Sequence, residues 1–435
     1  MTFEVMGRSS KKTKLLQRKF TLGFGRDEFK NDVLLDIFSS QIILICGKRG
    51  TGKSYGLGVF AEEFDNLPDD IKNDYSVIYI DPMGIFWTMN FPNEKIEEQK
   101  LLVEWNLTAK KVNAAFYVTE GQYNDMISKK EMSFVKPISF LPAEVSASDW
   151  CSTFDFDENK PQGIAITRAV KKLRANGGDN YTIGDIINAI KGDPNNAQTT
   201  VDSLENRFLA ATDWGIFSNK GFSFMDLIRP GKISIVDVSA IRNTGNIWGI
   251  RSLIVSLIGN SIFKEKVKVR REKEMARILK QAHRDSYAAN TWFIIDEAHN
   301  FVPTAGNVPS KEILRTLILE GRQPGISMVL ATQQPGSLLP DVLSQCDIII
   351  SHHLTKKEDI DSLNNIMQSY QKKEIKSYLK EINKDNPGQA IVMDNTSENI
   401  MKITVRPRQS WHGGGSPNED KNKGSEHEDL SFLDK

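Results

Sequence analysis

Cysteine is scarce in this 435-residue chain, which holds only Cys46, Cys151 and Cys346. The three are far apart and odd in number, and no CxxC pair occurs. Neither a disulfide framework nor a zinc ribbon is indicated. Two of them lie inside apolar runs, where core packing is the better reading. Long apolar runs are also lacking. The longest, around Leu253 to Phe263, is too short to cross a bilayer. Met1 to Glu4 does not open a basic-then-apolar leader. Net charge is absent as well, since 56 Lys and Arg balance 56 Asp and Glu. A nucleic-acid binder so composed must concentrate its positive charge locally. No repeat of fixed period is present. These absences point to a cytoplasmic protein in a reducing compartment, without membrane insertion.

What is present is an ordinary globular composition, 39% hydrophobic and 26% charged. Six continuous apolar runs suit strands buried on both faces: Gln41 to Cys46, Ser76 to Ile80, Lys232 to Val236, Thr291 to Ile295, Ile326 to Ala331 and Asp347 to Ile350. Helical stretches separate most of them. One, Ser310 to Leu319, places Ile313, Leu314, Leu317 and Ile318 on one face. The alternation predicts an α/β fold with a mainly parallel, helix-covered sheet.

The expected organisation has five parts. Residues 1–30 read as a basic N-terminal arm broken by Gly23 and Gly25, or as a small hairpin. Residues 31–135 and 226–411 form the two parts of the core. Residues 136–225, with several short helical segments, read as a helical insertion. Residues 412–435 form a polar, acidic tail expected to be disordered. Within the second core part, residues 264–284 hold nine Lys and Arg against three Glu. That basic helix suits either a nucleic-acid channel or a solvated face with i,i+4 pairs.

The strongest motif is Gly47-Lys48-Arg49-Gly50-Thr51-Gly52-Lys53-Ser54, which matches G-x-x-x-x-G-K-[ST]. It follows the strand ending at Cys46 and opens into a helical stretch, the context such a phosphate cradle requires. Glycines let successive N–H groups curl round phosphates, and the helix N-terminus adds its dipole. Lys53 is expected to neutralise β- and γ-phosphate oxygens of ATP, with the Ser54 hydroxyl on Mg²⁺.

A second apolar strand, Thr291 to Ile295, ends in Asp296-Glu297. Asp296 is expected to hold the Mg²⁺ shell and Glu297 to polarise the attacking water. The run continues Ala298-His299 and so spells DEAH, as in two-lobed helicases. The chain after Asp296 is too short for a second lobe. Arg322, in Glu320-Gly321-Arg322-Gln323-Pro324-Gly325, follows a helix that returns to the sheet edge opposite the nucleotide. It either completes a neighbouring subunit's site in trans or caps a helix C-terminus. Gln333, at the end of the strand Ile326 to Ala331, either senses the γ-phosphate or satisfies strand-end backbone groups.

Taken together, GKRGTGKS, Asp81-Pro82-Met83-Gly84, IIDEAHNF, EGRQPGISMVLATQQP and Arg406-Pro407-Arg408 resemble the HerA branch of the HerA–FtsK family. The resemblance covers roughly residues 20 to 408. It implies a RecA-like P-loop NTPase of the additional-strand, catalytic-glutamate (ASCE) class. It further implies a homohexameric ring that moves double-stranded DNA and often partners a nuclease of the NurA type. It supports Arg322 as a finger in trans and Gln333 as sensor. The chain departs from the family in four ways. Only 46 residues precede Gly47, so the usual small β-barrel before the cradle does not fit. Ile85 stands where an acid is common, Gln323 where lysine is common, and Gln334 where arginine is common. A secretion or conjugation ATPase and an ATP-gated scaffold for a nuclease remain alternative readings.

Overall fold

The computed structural model describes residues 3–128, 134–178, 180–241, 246–280, 289–366, 379, 382 and 388–414. The strands are β1 (Phe3–Met6), β2 (Thr21–Asp27), β3 (Asp32–Asp36), β4 (Ile42–Cys46), β5 (Tyr75–Asp81), β6 (Ala114–Thr119), β7 (Val135–Ile138), β8 (Ile233–Asp237), β9 (Asn290–Ile295), β10 (Ile326–Thr332), β11 (Ile348–Ser351), β12 (Gln389–Asp394) and β13 (Asn399–Val405). The α-helices are α1 (Ser10–Leu16), α2 (Lys53–Asn66), α3 (Asp69–Lys72), α4 (Ile96–Glu104), α5 (Glu120–Ser128), α6 (Ala147–Phe154), α7 (Pro161–Gly177), α8 (Ile183–Lys191), α9 (Gln198–Thr212), α10 (Ile247–Ile278), α11 (Ser310–Glu320), α12 (Pro340–Ser344) and α13 (Lys357–Ile366).

All the described strands join one 13-stranded sheet, ordered β1-β3-β2-β13-β12-β11-β4-β10-β9-β5-β8-β6-β7. From β11 to β7 every neighbouring pair is parallel. β2, β3, β12 and β13 pair antiparallel at the other end. The expected mainly parallel α/β sheet is therefore present. β10 lies between β4 and β9, so one strand separates the phosphate loop from the acid pair.

Continuous apolar runs follow from burial on both faces. In β4, Ile42, Leu44 and Cys46 enter a core shared with α6–α12, whereas Ile43 and Ile45 enter a second core around Phe60 and Phe64 of α2. The period-two alternation thus divides one strand between two cores. Across β4, β10 and β9 the register sets Cys46 opposite Thr332 and Leu330 opposite Ile295. The carboxyl ends of the three strands consequently share one edge.

The basic arm expected over residues 1–30 is instead β1, α1 and β2, part of the sheet. Gly23 and Gly25 do not break it: they lie within β2 at a register shift. At Gly25 a Cβ would stand 2.4 Å from the Thr404 carbonyl oxygen, so close strand approach requires glycine. Arg8 is buried and paired with Asp36, and it donates to the carbonyls of Gln17 and Lys19 at 2.8 Å. Residues 136–138, counted with the insertion, belong to edge strand β7, and α6–α9 follow it. The basic run lies on the second half of α10 as far as Ile278; residues 281–284 lie outside the described residues. Of the expected tail, 412–414 are described: Gly413 N donates to Thr88 Oγ1 at 3.1 Å, and burial lowers the His412 pKa to about 3. The remaining tail residues lie outside the described residues.

After β13 the chain crosses α2 through residues 406–412. Glu62 of α2 is 2% exposed and faces two buried arginines, Arg406 and Arg408. Its carboxylate accepts from Arg406 Nη1 at 2.8 Å, Gln409 N at 3.0 Å, Ser410 N at 2.9 Å and Ser410 Oγ at 2.6 Å. Burial alone would raise its pKa, but the two guanidiniums and these donors leave it below the usual carboxylate value. Glu62→Gln is expected to cost about 3–5 kcal/mol at neutral pH, because it removes the carboxylate that buried Arg408 faces and leaves Arg406 with Glu63 alone. Urea unfolding measures this. Since the folded pKa is depressed, Glu62's contribution is complete above its ordinary value of 4.5 and is lost as pH falls through the folded one. The gap between variant and parent therefore narrows in acid.

Candidate functional site

The phosphate loop, Gly47 to Ser54, joins β4 to α2. Its shape is held from the next strand: Lys48 N donates to the His353 carbonyl at 3.0 Å, and His352 N to the Cys46 carbonyl at 2.8 Å. Thr51 Oγ1 donates to the Lys48 carbonyl at 2.7 Å. His352 is fully buried, with Nδ1 2.9 Å from the Gln389 carbonyl. That carbonyl only accepts, so Nδ1 carries the proton and Nε2 is the bare acceptor. Burial, aided by Lys53, lowers the His352 pKa to about 4, and the ring is neutral.

Lys53 and Ser54 open α2 beneath the loop. Lys53 is 5% exposed and donates to the Lys48 carbonyl at 2.9 Å. Burial lowers its pKa, while Asp296 and Glu297 oppose the shift. The Ser54 hydroxyl donates to Asp296 Oδ2 at 2.7 Å. Burial raises the Asp296 carboxyl; the Ser54 bond and Lys53 oppose it, and Glu297 adds to it. Asp296 and Ser54 thus present hard oxygens to one point, the donor chemistry Mg²⁺ takes when phosphates and waters complete its shell. These residues fit that ion. Among the described residues no group of three or more His, Cys, Asp or Glu forms a metal cage.

Glu297 is 8% exposed and has a left-handed backbone, φ 51°. In a non-glycine residue this is strained, a feature that gathers at functional sites. Gln333 Nε2 donates to Glu297 Oε1 at 2.5 Å, and Oε2 is buried with no hydrogen-bond partner. His299 Nδ1 stands 3.1 Å from Thr332 Oγ1 and 3.5 Å from Glu297 Oε2. The structure therefore gathers Lys53, Ser54, Asp296, Glu297 and Gln333 at one edge.

Arg322 is not among them. It is exposed, and its carbonyl accepts from Ser40 Oγ at 3.5 Å, just before β4 begins. It sits one strand length away, at the opposite edge, roughly 17 Å by the rise of a five-residue strand.

Sequence reasoning missed a further acid pair. Asp81 ends β5 and Asp237 ends β8, opposite one another in register. Asp81 accepts from the N–H groups of Met83 (3.1 Å), Gly84 (2.8 Å) and Phe86 (2.8 Å). Burial, reinforced by Asp237, raises its pKa to about 8, and burial raises Asp237 too. A legible signal existed: an acid closing a buried strand, as Asp296 closes β9.

A cradle between strand and helix, an acid pair on a strand one place removed, and a run of eight parallel strands together define a P-loop NTPase. The family model for the central domain of helicase HerA matches residues 22–258. The chain belongs to this family, a HerA-type member of the HerA–FtsK superfamily. It is 22% identical over 354 residues to the probable helicase MJ1565 of Methanocaldococcus jannaschii, covering 81% of this chain and 60% of that protein. To the DNA double-strand break repair helicase HerA of Pyrococcus furiosus it is 23% identical over 144 residues, 31% of this chain and 26% of that one. The chain thus spans less than two thirds of the length of either relative. In fold it is similar to VirB4 of Thermoanaerobacter pseudethanolicus, with a TM-score of 0.55 and 12% identity over 92% of this chain and 98% of that one. The conjugative coupling protein TrwB gives 0.51 and 12%, over 94% and 95%. Among the described residues no helix is long and apolar enough to cross a membrane.

At Gly47 a Cβ would stand 2.7 Å from both His352 Cβ and Thr51 Oγ1. Gly47→Ala is therefore expected to displace the loop and weaken binding of a fluorescent ATP analogue at least about tenfold, with unfolding little changed. Fluorescence titration measures it.

Proposed function

We propose that this protein is an ATP-hydrolysing, ring-forming motor that translocates or unwinds double-stranded DNA. One observation carries the reading: the cradle, acid pair and Gln333 share one edge of the sheet, and an exposed arginine stands at the other. A guanidinium so placed serves catalysis only on a neighbouring copy's nucleotide. The names of the two curated relatives, both helicases, support the DNA substrate.

Within this reading Lys53 exchanges the Lys48 carbonyl for phosphate oxygens. Ser54 and Asp296 hold Mg²⁺, which when bound neutralises developing phosphate charge. Glu297 takes a proton from the attacking water on Oε2, the oxygen without a partner, while Gln333 fixes Oε1. Arg322 completes a neighbouring pocket, so a homohexamer is the working unit. A nuclease of the NurA type is a candidate partner. A cytoplasmic setting accords with the three buried, unpaired cysteines.

ATP turnover is expected to rise with duplex DNA and that stimulation to fall with salt. Turnover indifferent to DNA at low salt would remove the DNA reading and favour a protein-transport role. Lys53→Ala is expected to lose nucleotide binding. Glu297→Gln should bind ATP but slow turnover at least about a hundredfold. Arg322→Ala should bind ATP normally yet lose turnover, with the defect in mixed rings appearing at the adjoining site. Full turnover by Arg322→Ala would refute the finger in trans.

A further inference from the structure

Where β11 stops pairing with β12, a side chain takes over. The last pair of that ladder is Ser351 with Ile391. Past it the β11 backbone turns to the phosphate loop, through the His352 N–H on Cys46 and the His353 carbonyl on Lys48. The bond to β12 is made instead by the His352 ring, whose Nδ1 donates to the Gln389 carbonyl at 2.9 Å. The ring is thereby fixed between β12 and the loop.

Against the loop this one side chain spans both ends. Its root fills the space beside the first glycine, where a Cβ on Gly47 would stand 2.7 Å from His352 Cβ. Its tip reaches the last, where a Cβ on Gly52 would stand 3.4 Å from Cε1, at van der Waals contact. Gly47 is where the loop leaves β4, and Gly52, with φ 111°, is where it enters α2. Gly388, just before β12, meets the same second end, its N–H 3.4 Å from the Thr51 carbonyl.

Histidine is a costly residue in this position unless its shape is used. His352 is wholly buried, and among the described residues Nε2 has no hydrogen-bond partner. Native proteins seldom leave such an acceptor bare. The Nδ1 bond fixes the ring's direction, and the packing of the ring fixes the loop.

We propose that His352 is a positioning residue for the nucleotide: its ring holds the two ends of the phosphate loop at the spacing that lets the loop's N–H groups converge on phosphate. It acts through the loop and not on the reacting atoms. This role rests on the ATP reading of the same loop.

Steady-state ATP turnover and titration with a fluorescent ATP analogue test it in the full chain. His352→Asn keeps a donor for the Gln389 carbonyl but lacks the ring tip. It is expected to raise KM and weaken the analogue at least about tenfold, with kcat within about twofold, because a shifted loop loses ground-state and transition-state contacts alike. A variant that was merely part-unfolded would lose kcat and keep KM. His352→Phe keeps a ring and lacks the donor, and its KM should stay within about threefold of the parent's. His352→Leu, also without the ring tip, replaces His352→Asn in both measurements if circular dichroism shows that variant unfolded. Parental KM and analogue affinity in the folded variant without the tip overturn the assignment. So does a loss in His352→Phe as large as in that variant. No analogue binding by the folded parent would instead remove the ATP reading, and the assignment with it.

Discussion

The side-by-side register of β4, β10 and β9 is the constraint from which the site follows. Three parallel, almost wholly buried strands end within two residues of each other. The chain must leave each end at the same sheet edge, and there it turns into the phosphate loop, Gln333 and the acid pair. Shifting any one strand by a residue would exchange its two faces between the two cores. The apolar alternation that fixes the fold therefore also fixes the spacing of Lys53, Asp296 and Glu297. No side chain at the site has to search for its partner.

Charge is handled differently at three depths of this sheet. At the site edge, Lys53, Asp296 and Glu297 are buried together and balance incompletely, which suits a place that receives an anion and a divalent cation. Beneath α2, Glu62 is fully compensated by two arginines and backbone donors, which suits a joint. Between them in character, Asp81 and Asp237 are held mainly by backbone and side-chain donors, and among the described residues Arg251 is the cation beside them. A buried charge left unbalanced is expensive, and the imbalance lies at the site edge.

Much of this was legible in the sequence because doubly buried strands read as unbroken apolar runs. All six runs so read are strands, and the cradle and acid pair stand where their motifs place them. Strands with one wet face or glycine-rich backbone escaped: β2 carries Gly23 and Gly25, β13 is exposed or half-buried over its first four residues, and β6 begins with two alanines. The partnership of Glu62 with Arg406 and Arg408 joins residues more than 340 positions apart, and no local pattern announces it. Gln333 was recognisable as a strand-end glutamine. Its bond to Glu297 needed the register of neighbouring strands. The place of Arg322 at the far edge followed from counting helix and strand directions alone.

The long α10 has a mechanical consequence. Its 32 residues make a rod about 48 Å in length. The apolar half is wedged against α6 and α11, with Ser252 and Ser310 joined at 2.7 Å. The cationic half runs on past the core, held by Lys266 on the Ala289 carbonyl and by Arg270 on the Gln323 carbonyl. A pull on the rod's charged tip is thereby delivered to the turn that carries Arg322. The charged half of α10 and the arginine at the far edge are joined by a stiff strut rather than by a loop.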